Sequence, residues 1–175
     1  DQANSETQRE LLNKIEELRL KAKSSGAIHP IRQTYVAWAM IKLDDHLLFV
    51  EREDHTREGV PQFVLPGGRL NIHDLRNNLE GLDQSEYLKI LQSASSQKAF
   101  DSLPHTLKRE LEEELGLVSS EYSVGEVFKL NPYNKLEGAG ANHGYTCYEI
   151  SLFKISLNFN GFSRLGLLDE PIGHN

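Results

Sequence analysis

The sequence has few of the features that would place a protein in a membrane or outside the cell. Cys147 is the only cysteine, which excludes an internal disulfide and any metal cluster built from several thiolates. No stretch approaches the roughly 20 apolar residues that a membrane-spanning helix needs, so we predict no membrane association. The N-terminus is polar and acidic, unlike a secretory signal, and we therefore expect a cytoplasmic location.

Positive charge is also scarce, because 19 Lys and Arg residues face 26 Asp and Glu residues, for a formal net charge of −7. Binding to a nucleic-acid duplex requires a basic face, and we do not expect it here. The negative charge fits a protein that meets phosphate groups through a metal ion. A length of 175 residues suits one domain with a core of its own.

The most informative stretch is the acidic segment Arg109–Leu117. On a helix, at about 100° per residue, Glu110, Glu113 and Glu114 share an arc of roughly 100°. Like charges at this spacing repel one another, and a divalent cation would relieve the repulsion. Hard oxygen ligands favour Mg²⁺ or Mn²⁺. The alternative is a solvated acidic helix face without a ligand.

Two flanking features make the segment more specific. An apolar stripe overlaps one edge of the acidic arc, which places the acids at the margin of a buried face; it consists of Leu103, Leu107, Leu111 and Leu115. Gly116 follows the helix at a position where a left-handed residue is favoured. The loop Pro66-Gly67-Gly68 lies upstream, directly after the strand-like run Phe63-Val64-Leu65.

Together these residues resemble the signature of the Nudix hydrolases. That signature is Gly, five residues, Glu, seven residues, and then Arg-Glu-aliphatic-any-Glu-Glu-any-Gly-aliphatic, and residues 109–117 match its second half at every specified position. The resemblance implies an α/β fold, namely a Nudix-type α/β/α sandwich with a mixed central sheet. It also implies hydrolysis of a pyrophosphate bond in a nucleoside diphosphate linked to another group.

The first half of the signature is interrupted. Arg109 lies 41 residues after Gly68 instead of 14, so about 27 residues have been inserted, at roughly 71–100. In the family the first Glu commonly pairs with the Arg and ties the loop to the helix. Two residues are candidates for its place: Asp74, counted forward from Gly68, and Asp101, counted back from Arg109. We favour Asp101, because it stays in register with the helix whatever precedes it.

The resemblance implies roles for individual residues. Glu113 and Glu114 are the first choices as Mg²⁺ ligands, and Glu110 is either a third ligand or the general base. The Gly67 carbonyl is a further possible ligand, and Arg109 is expected to orient a carboxylate.

Candidates outside the signature are weaker. Arg69 is a candidate phosphate contact, with a solvated loop Arg as the alternative. Tyr133 follows Pro132, whose spacing of fifteen residues from Leu117 is similar to that in ADP-ribose pyrophosphatases. We therefore lean towards ADP-ribose or nucleotide-sugar substrates, with Tyr133 stacking on a base. Glu137 and Glu149 are candidates for a further base or ligand, and for each a solvated surface carboxylate is the alternative.

The chain divides into an N-terminal helix within residues 1–26 and a Nudix domain at 27–175. The helix, at 6–23, either packs on its own domain or serves as a connector or dimerisation helix, which leaves a homodimer possible. The insertion is expected to hold one helix, from Gln84 to about Ala99, and to act as a lid or pocket wall; a surface excursion is the alternative.

We predict Ser102 as the N-cap of the acidic helix, with Pro104 near its first turn. Strands are predicted at 33–43, 46–52, 62–65, 122–130 and 145–157, and a mobile loop at 135–144.

Two other functions compete with hydrolysis. The protein is alternatively a non-catalytic Nudix-like domain that senses a nucleotide within a larger regulatory protein, although such a sensor has no need for three glutamates. The isopentenyl diphosphate isomerase branch of the family relies on a Cys, and Cys147 has no evident partner.

Overall fold

The computed structural model describes residues 31–52, 62–137 and 144–168, together with Glu10 and Asn13. The helix expected at 6–23 and the tail beyond residue 168 lie outside the described residues, apart from Glu10 and Asn13, which are helical. Within this part of the chain, no helix is both long enough and apolar enough to span a bilayer.

Two long strands form the centre of a six-stranded sheet. Strand β1 (Ile31–Leu43) runs parallel to β8 (Gly144–Leu157), in register from Ile31 opposite Tyr145 to Ile41 opposite Ile155. Four short strands extend the sheet, all antiparallel to their neighbours. Strands β2 (His46–Leu47) and β5 (Gly67–Arg69) pair with β1, and strands β6 (Tyr122–Lys129) and β7 (Tyr133–Glu137) pair with β8. The predicted α/β class with a mixed central sheet is confirmed.

The remaining described elements are a second strand pair and four helices. Strands β3 (Val50–Arg52) and β4 (Gln62–Val64) form a separate antiparallel pair. The described helices are α1 (Ile72–Asn78), α2 (Gln84–Gln92), α3 (Gln97–Leu115) and α4 (Phe159–Arg164), with a 3₁₀ turn at Ser119–Glu121. Each of the four helices begins after an Asn, Asp or Ser whose side chain accepts a backbone N–H of the first turn, as such caps require.

The core lies mainly between β1 and α3. Alternate residues of β1 face α3, as the period of a strand dictates, and they include Tyr35, Ala37, Ala39 and Ile41. From α3, Leu103, Leu107 and Leu111 are fully buried, with Leu115 packed at the margin, so the predicted apolar stripe is confirmed. A smaller cluster on the other face of the sheet joins Val36 to Tyr148 and Ile150.

The start of the acidic helix differs from the prediction. Its N-cap is Ser96 rather than Ser102, and Ser102 is buried within the helix, where its hydroxyl donates to the Lys98 carbonyl at 2.8 Å. Pro104 therefore lies in the helix interior, where it removes one backbone hydrogen bond at a typical cost of about 3 kcal/mol. Burial of Ala99 and Leu103, which precede Pro104 in the helix, offsets that cost, at roughly 1.5–3 kcal/mol for a leucine.

The insertion is also organised differently from the expected single helix. Its residues form α1, α2 and the first turn of α3, and its side chains Leu75, Tyr87 and Ala99 belong to the buried core. The insertion is therefore an integral part of the core and not a surface excursion.

The loop predicted at 135–144 is wrong for its first residues. Lys135 and the two residues after it belong to β7, where they pair with the beginning of β8. The long β8 offers a free edge at this point, and pairing with it outweighs the weak strand signal of a segment that leads into glycines.

Candidate functional site

The glycine strand β5 lies against β1 and leaves no room for side chains. Gly67 has φ +147°, and a Cβ there would lie 2.0 Å from the Ala37 carbonyl oxygen. At Gly68 a Cβ would lie 2.3 Å from Glu110 Oε1. The Glu110 carboxylate thus occupies the space that the missing side chain leaves, and this brings α3 into direct contact with the glycine strand.

Glu114 lies one helical turn after Glu110 and faces the same strand. The Gly67 N–H donates to Glu114 Oε2 at 3.4 Å. Part of the Glu114 side chain is exposed, but loss of water around the carboxylate raises its pKa to about 7, and the neighbouring Glu110 carboxylate adds to the rise. The Gly67 N–H and the charge of Arg52 act in the opposite direction. Two carboxylates therefore crowd one point beside the glycines.

Arg109 holds one member of this pair in place. Its NH1 group donates to Glu110 Oε1 at 2.6 Å, while Nε and NH2 contact Asp74 Oδ1 and Oδ2, each at 3.1 Å. NH2 also donates to the Arg69 carbonyl oxygen at 3.0 Å. The hydrogen bonds to Asp74 raise the pKa of Arg109, so the guanidinium is charged throughout the ordinary pH range.

Asp74 is the buried anchor of this arrangement. It is 1% exposed, and it also accepts hydrogen bonds from the Thr106 hydroxyl at 2.8 Å and from the Asn71 N–H at 3.1 Å. Each carboxylate oxygen therefore has a donor, as a buried charge requires. Helix α1, which carries Asp74, is fixed to α3 through it.

The prediction that Asp101 pairs with Arg109 is wrong. Asp101 is exposed and accepts from Gln97 Nε2 at 2.8 Å. Both residues lie on α3, and eight residues at 1.5 Å each separate them by about 12 Å along the axis. Asp74 is the partner of Arg109 because α1, which carries Asp74, follows directly after β5. Most of the inserted residues come after Asp74 and do not change its distance from Gly68 along the chain.

Glu113 has a different environment from the other two predicted ligands. Its side chain is 61% exposed, and its carboxylate lies 3.4 Å from Arg109 NH1. Among residues 31–52, 62–137 and 144–168, no three side chains of the types His, Cys, Asp and Glu come together as a metal-binding group. The structure therefore brings together Glu110 and Glu114 beside Gly67, with Glu113 at the rim.

The Arg69 side chain points away from α3, towards the other face of the sheet. Its NH2 group donates to the Tyr148 hydroxyl at 3.1 Å. The ring of Tyr133 stacks on the ring of Tyr148, with centroids 5.2 Å apart and planes at 19°. Sequence reasoning singled out Arg69 and Tyr133 but missed Tyr148; the strand pairing that brings these residues together has no local signal.

Glu149 is buried, not solvated. It is 2% exposed and accepts the N–H of Ser95 at 2.8 Å, the hydroxyl of Ser95 at 2.7 Å and the amide of Gln33. These contacts fix the turn between α2 and α3 to the central sheet. For Glu137, the structure describes a backbone position opposite Gly144 in the sheet.

Of three comparisons with known proteins, the one with solved structures finds matches. No family model matches the chain, and no curated protein matches it. Seventeen chains of solved structures do match. One of them is the solution structure of the E. coli ORF135 protein, at 17% identity over 75% of this chain and 69% of that chain, with a TM-score of 0.38.

Proposed function

We propose that the protein is a Mg²⁺-dependent pyrophosphohydrolase of the Nudix type, with the corresponding α/β/α sandwich. It hydrolyses the pyrophosphate bond of a nucleoside diphosphate linked to another group. The observation that carries the proposal is the pair Glu110 and Glu114, crowded against a strand of two glycines. The residue pattern Arg109–Leu117 supports the same chemistry.

The residues of the pair suit a magnesium ion. Their donors are carboxylate oxygens, and the raised pKa of Glu114 reflects burial and a neighbouring negative charge. Mg²⁺ is usually bound by one or two carboxylates, with water and substrate phosphates as its other ligands, and not by a closed protein cage. Two convergent carboxylates are therefore enough, and Glu110 and Glu114 would hold the ion. Glu113 and the Gly67 carbonyl stay as predicted additional ligands.

The chemistry that Mg²⁺ supplies when bound is neutralisation of the pyrophosphate charge and acidification of the attacking water. The protein's own residues fix the geometry. Asp74 holds Arg109, and Arg109 holds the Glu110 carboxylate, so its oxygens are positioned before substrate arrives. The glycines allow β1 and the Glu110 carboxylate to approach the β5 backbone closely, since no Cβ projects there.

A turnover assay tests the proposal. The protein is incubated with Mg²⁺ and a panel of ADP-ribose, NAD, dinucleoside polyphosphates, nucleoside triphosphates and coenzyme A, and phosphate-containing products are measured. We expect hydrolysis of at least one of these compounds and a loss of at least about hundredfold in Glu114→Gln. Glu112→Gln is the matched control, because Glu112 is exposed and points to the opposite side of α3.

The competing sensor function predicts a different result. A nucleotide-sensing domain would bind a member of the panel without turnover, and Glu114→Gln would leave that binding unchanged. This outcome would overturn the hydrolase proposal.

A further inference from the structure

A row of cationic and aromatic side chains crosses the sheet next to Gly68. Arg69 on β5 donates to the Tyr148 hydroxyl on β8, and its guanidinium carbon lies 5.8 Å from the centre of the Tyr148 ring. Tyr133 on β7 stacks on that ring. The three side chains therefore connect β5, β8 and β7 across the face of the sheet that carries Val36 of β1.

The length of this row is informative. Neighbouring strands lie roughly 4.8 Å apart, so the three steps from β5 to β7 span about 14 Å. One end is Arg69, which directly follows Gly68 in β5 and lies on the face of the sheet opposite the Glu110 carboxylate, and the other end is the ring of Tyr133. That span is comparable to an extended nucleoside joined to a diphosphate.

The two ends of the row are exposed and its middle is buried. Tyr133 is 45% exposed and Arg69 is also exposed, whereas Tyr148 is 6% exposed. Tyr148 thus supports both neighbours: its hydroxyl accepts from Arg69 and its ring lies under Tyr133. A ring and a guanidinium held in this way are already ordered before a ligand binds.

We propose that Arg69, Tyr148 and Tyr133 form the subsite for the nucleoside half of the substrate. Tyr133 stacks on an aromatic base, Arg69 contacts the phosphate next to that nucleoside, and Tyr148 is a positioning residue for both. The location of the diphosphate rests on the proposed function. Because every base has a π face, stacking selects for a base without fixing which one.

Binding of two non-hydrolysable probes in the presence of Mg²⁺ tests this subsite. The probes are α,β-methylene-ADP, which carries a base, and methylenediphosphonate, which does not, and both are titrated calorimetrically. We expect Tyr133→Ala to weaken binding of the first probe by about tenfold or more, in line with base–aromatic stacking, and to leave the second unchanged. Tyr133→Phe keeps the stacking ring and should bind both probes normally. Phe159→Ala, which removes an aromatic ring that is 71% exposed on α4, is the control.

The role of Tyr148 has its own readout. Tyr148→Phe removes the hydroxyl that holds Arg69, so it should weaken both probes, as Arg69→Gln does. The double variant should be no weaker than Arg69→Gln alone, since both changes remove the hydrogen bond between these two side chains. A merely structural effect of Tyr148 would instead lower the melting temperature and add to the effect of Arg69→Gln.

The possible failures are distinguishable. Equal effects of Tyr133→Ala on both probes, or no effect on either, would overturn the subsite even if the substrate panel is hydrolysed. The expected binding pattern without any turnover would retain the subsite and overturn the hydrolase.

Discussion

Two groups of carboxylates in this protein have opposite surroundings. Asp74, Glu121 and Glu149 are buried, and each accepts several hydrogen bonds from the chain itself. Glu110 and Glu114 instead lie against each other and the glycine strand. Glu110 accepts from Arg109 at 2.6 Å, whereas the backbone donor to Glu114 is the Gly67 N–H at the longer distance of 3.4 Å.

The pKa values follow this division. The Val118 N–H and then Arg164 lower the pKa of Glu121, whereas burial and the Glu110 charge raise the pKa of Glu114 to about 7. The first group stabilises the fold, because its charges are already compensated. In the second group, Arg109 compensates Glu110 on one oxygen, but Glu114 lies beside that carboxylate without an ion pair of its own, so the pair is suited to bind a cation from solution.

We expect the largest difference in stability between alanine substitutions of the two adjacent glycines, Gly67 and Gly68. Gly67→Ala would place a Cβ against the backbone of β1 at a positive φ, so we expect a loss of stability of roughly 3 kcal/mol or more. The atoms nearest to a Cβ in Gly68→Ala belong to the Glu110 side chain and not to the backbone. This variant should keep the fold and lose turnover. Denaturant unfolding and the substrate panel distinguish the two variants, and equal stability losses would contradict the assigned contacts.

The anchor of Arg109 gives the next effect. Asp74→Ala leaves a half-buried guanidinium without its main partner, and we expect a loss of about 3 kcal/mol in unfolding free energy. Asp101→Ala removes an exposed carboxylate and should change stability by less than about 0.5 kcal/mol. The reverse order of these two variants in urea denaturation would restore Asp101 as the partner.

Glu149 tests whether the insertion is part of the core. Glu149→Ala leaves the donors of Ser95 and Gln33 without their acceptor, and we expect a loss of about 2 kcal/mol. The exposed Glu126→Ala is the control. Faster hydrogen exchange in the turn between α2 and α3 should accompany the loss in Glu149→Ala, and unaltered exchange there would contradict the role of the contact.

The smallest expected effect is the change of folding stability with pH that Glu121 and Glu114 cause. The pKa of Glu121 is lowered on folding, so its contribution to stability is present above its unfolded pKa and is lost as the pH falls through the folded value. The pKa of Glu114 is raised, so the contribution of this group is present at acidic pH and is lost as the pH rises towards about 7. Carboxyl titration by NMR without added metal should show the two groups on opposite sides of the ordinary range. Equal pKa values for Glu121 and Glu114 would contradict the assignment of these carboxylates to two groups with opposite surroundings.

Much of this architecture was predictable from local pattern. The long strands, the leucine stripe of α3 and Gly116, observed at φ +68° as the left-handed residue that ends the helix, follow from periodicity and capping rules. Helix boundaries were less predictable, because Ser96 and Ser102 are equally suitable caps and Pro104 is typical of a first turn. The choice of Ser96 over Ser102 as the N-cap depends on tertiary packing.

The errors at the site have a common physical origin. The partner of Arg109 depends on where the chain between Gly68 and α3 returns, and counting along the sequence does not reveal this. The burial of Glu149 and the contact of Tyr148 with Arg69 likewise arise from pairing between distant strands. Interactions within one element were predictable, and those between elements were not.

The most direct test of the central claim is a calorimetric titration of Mg²⁺ into the wild-type protein, Glu114→Gln and the control Glu112→Gln. We expect the wild type and Glu112→Gln to bind Mg²⁺ with the same affinity and Glu114→Gln to lose most of that affinity. Binding of Mg²⁺ to Glu114→Gln with wild-type affinity would contradict the assignment of the crowded carboxylates as a cation site.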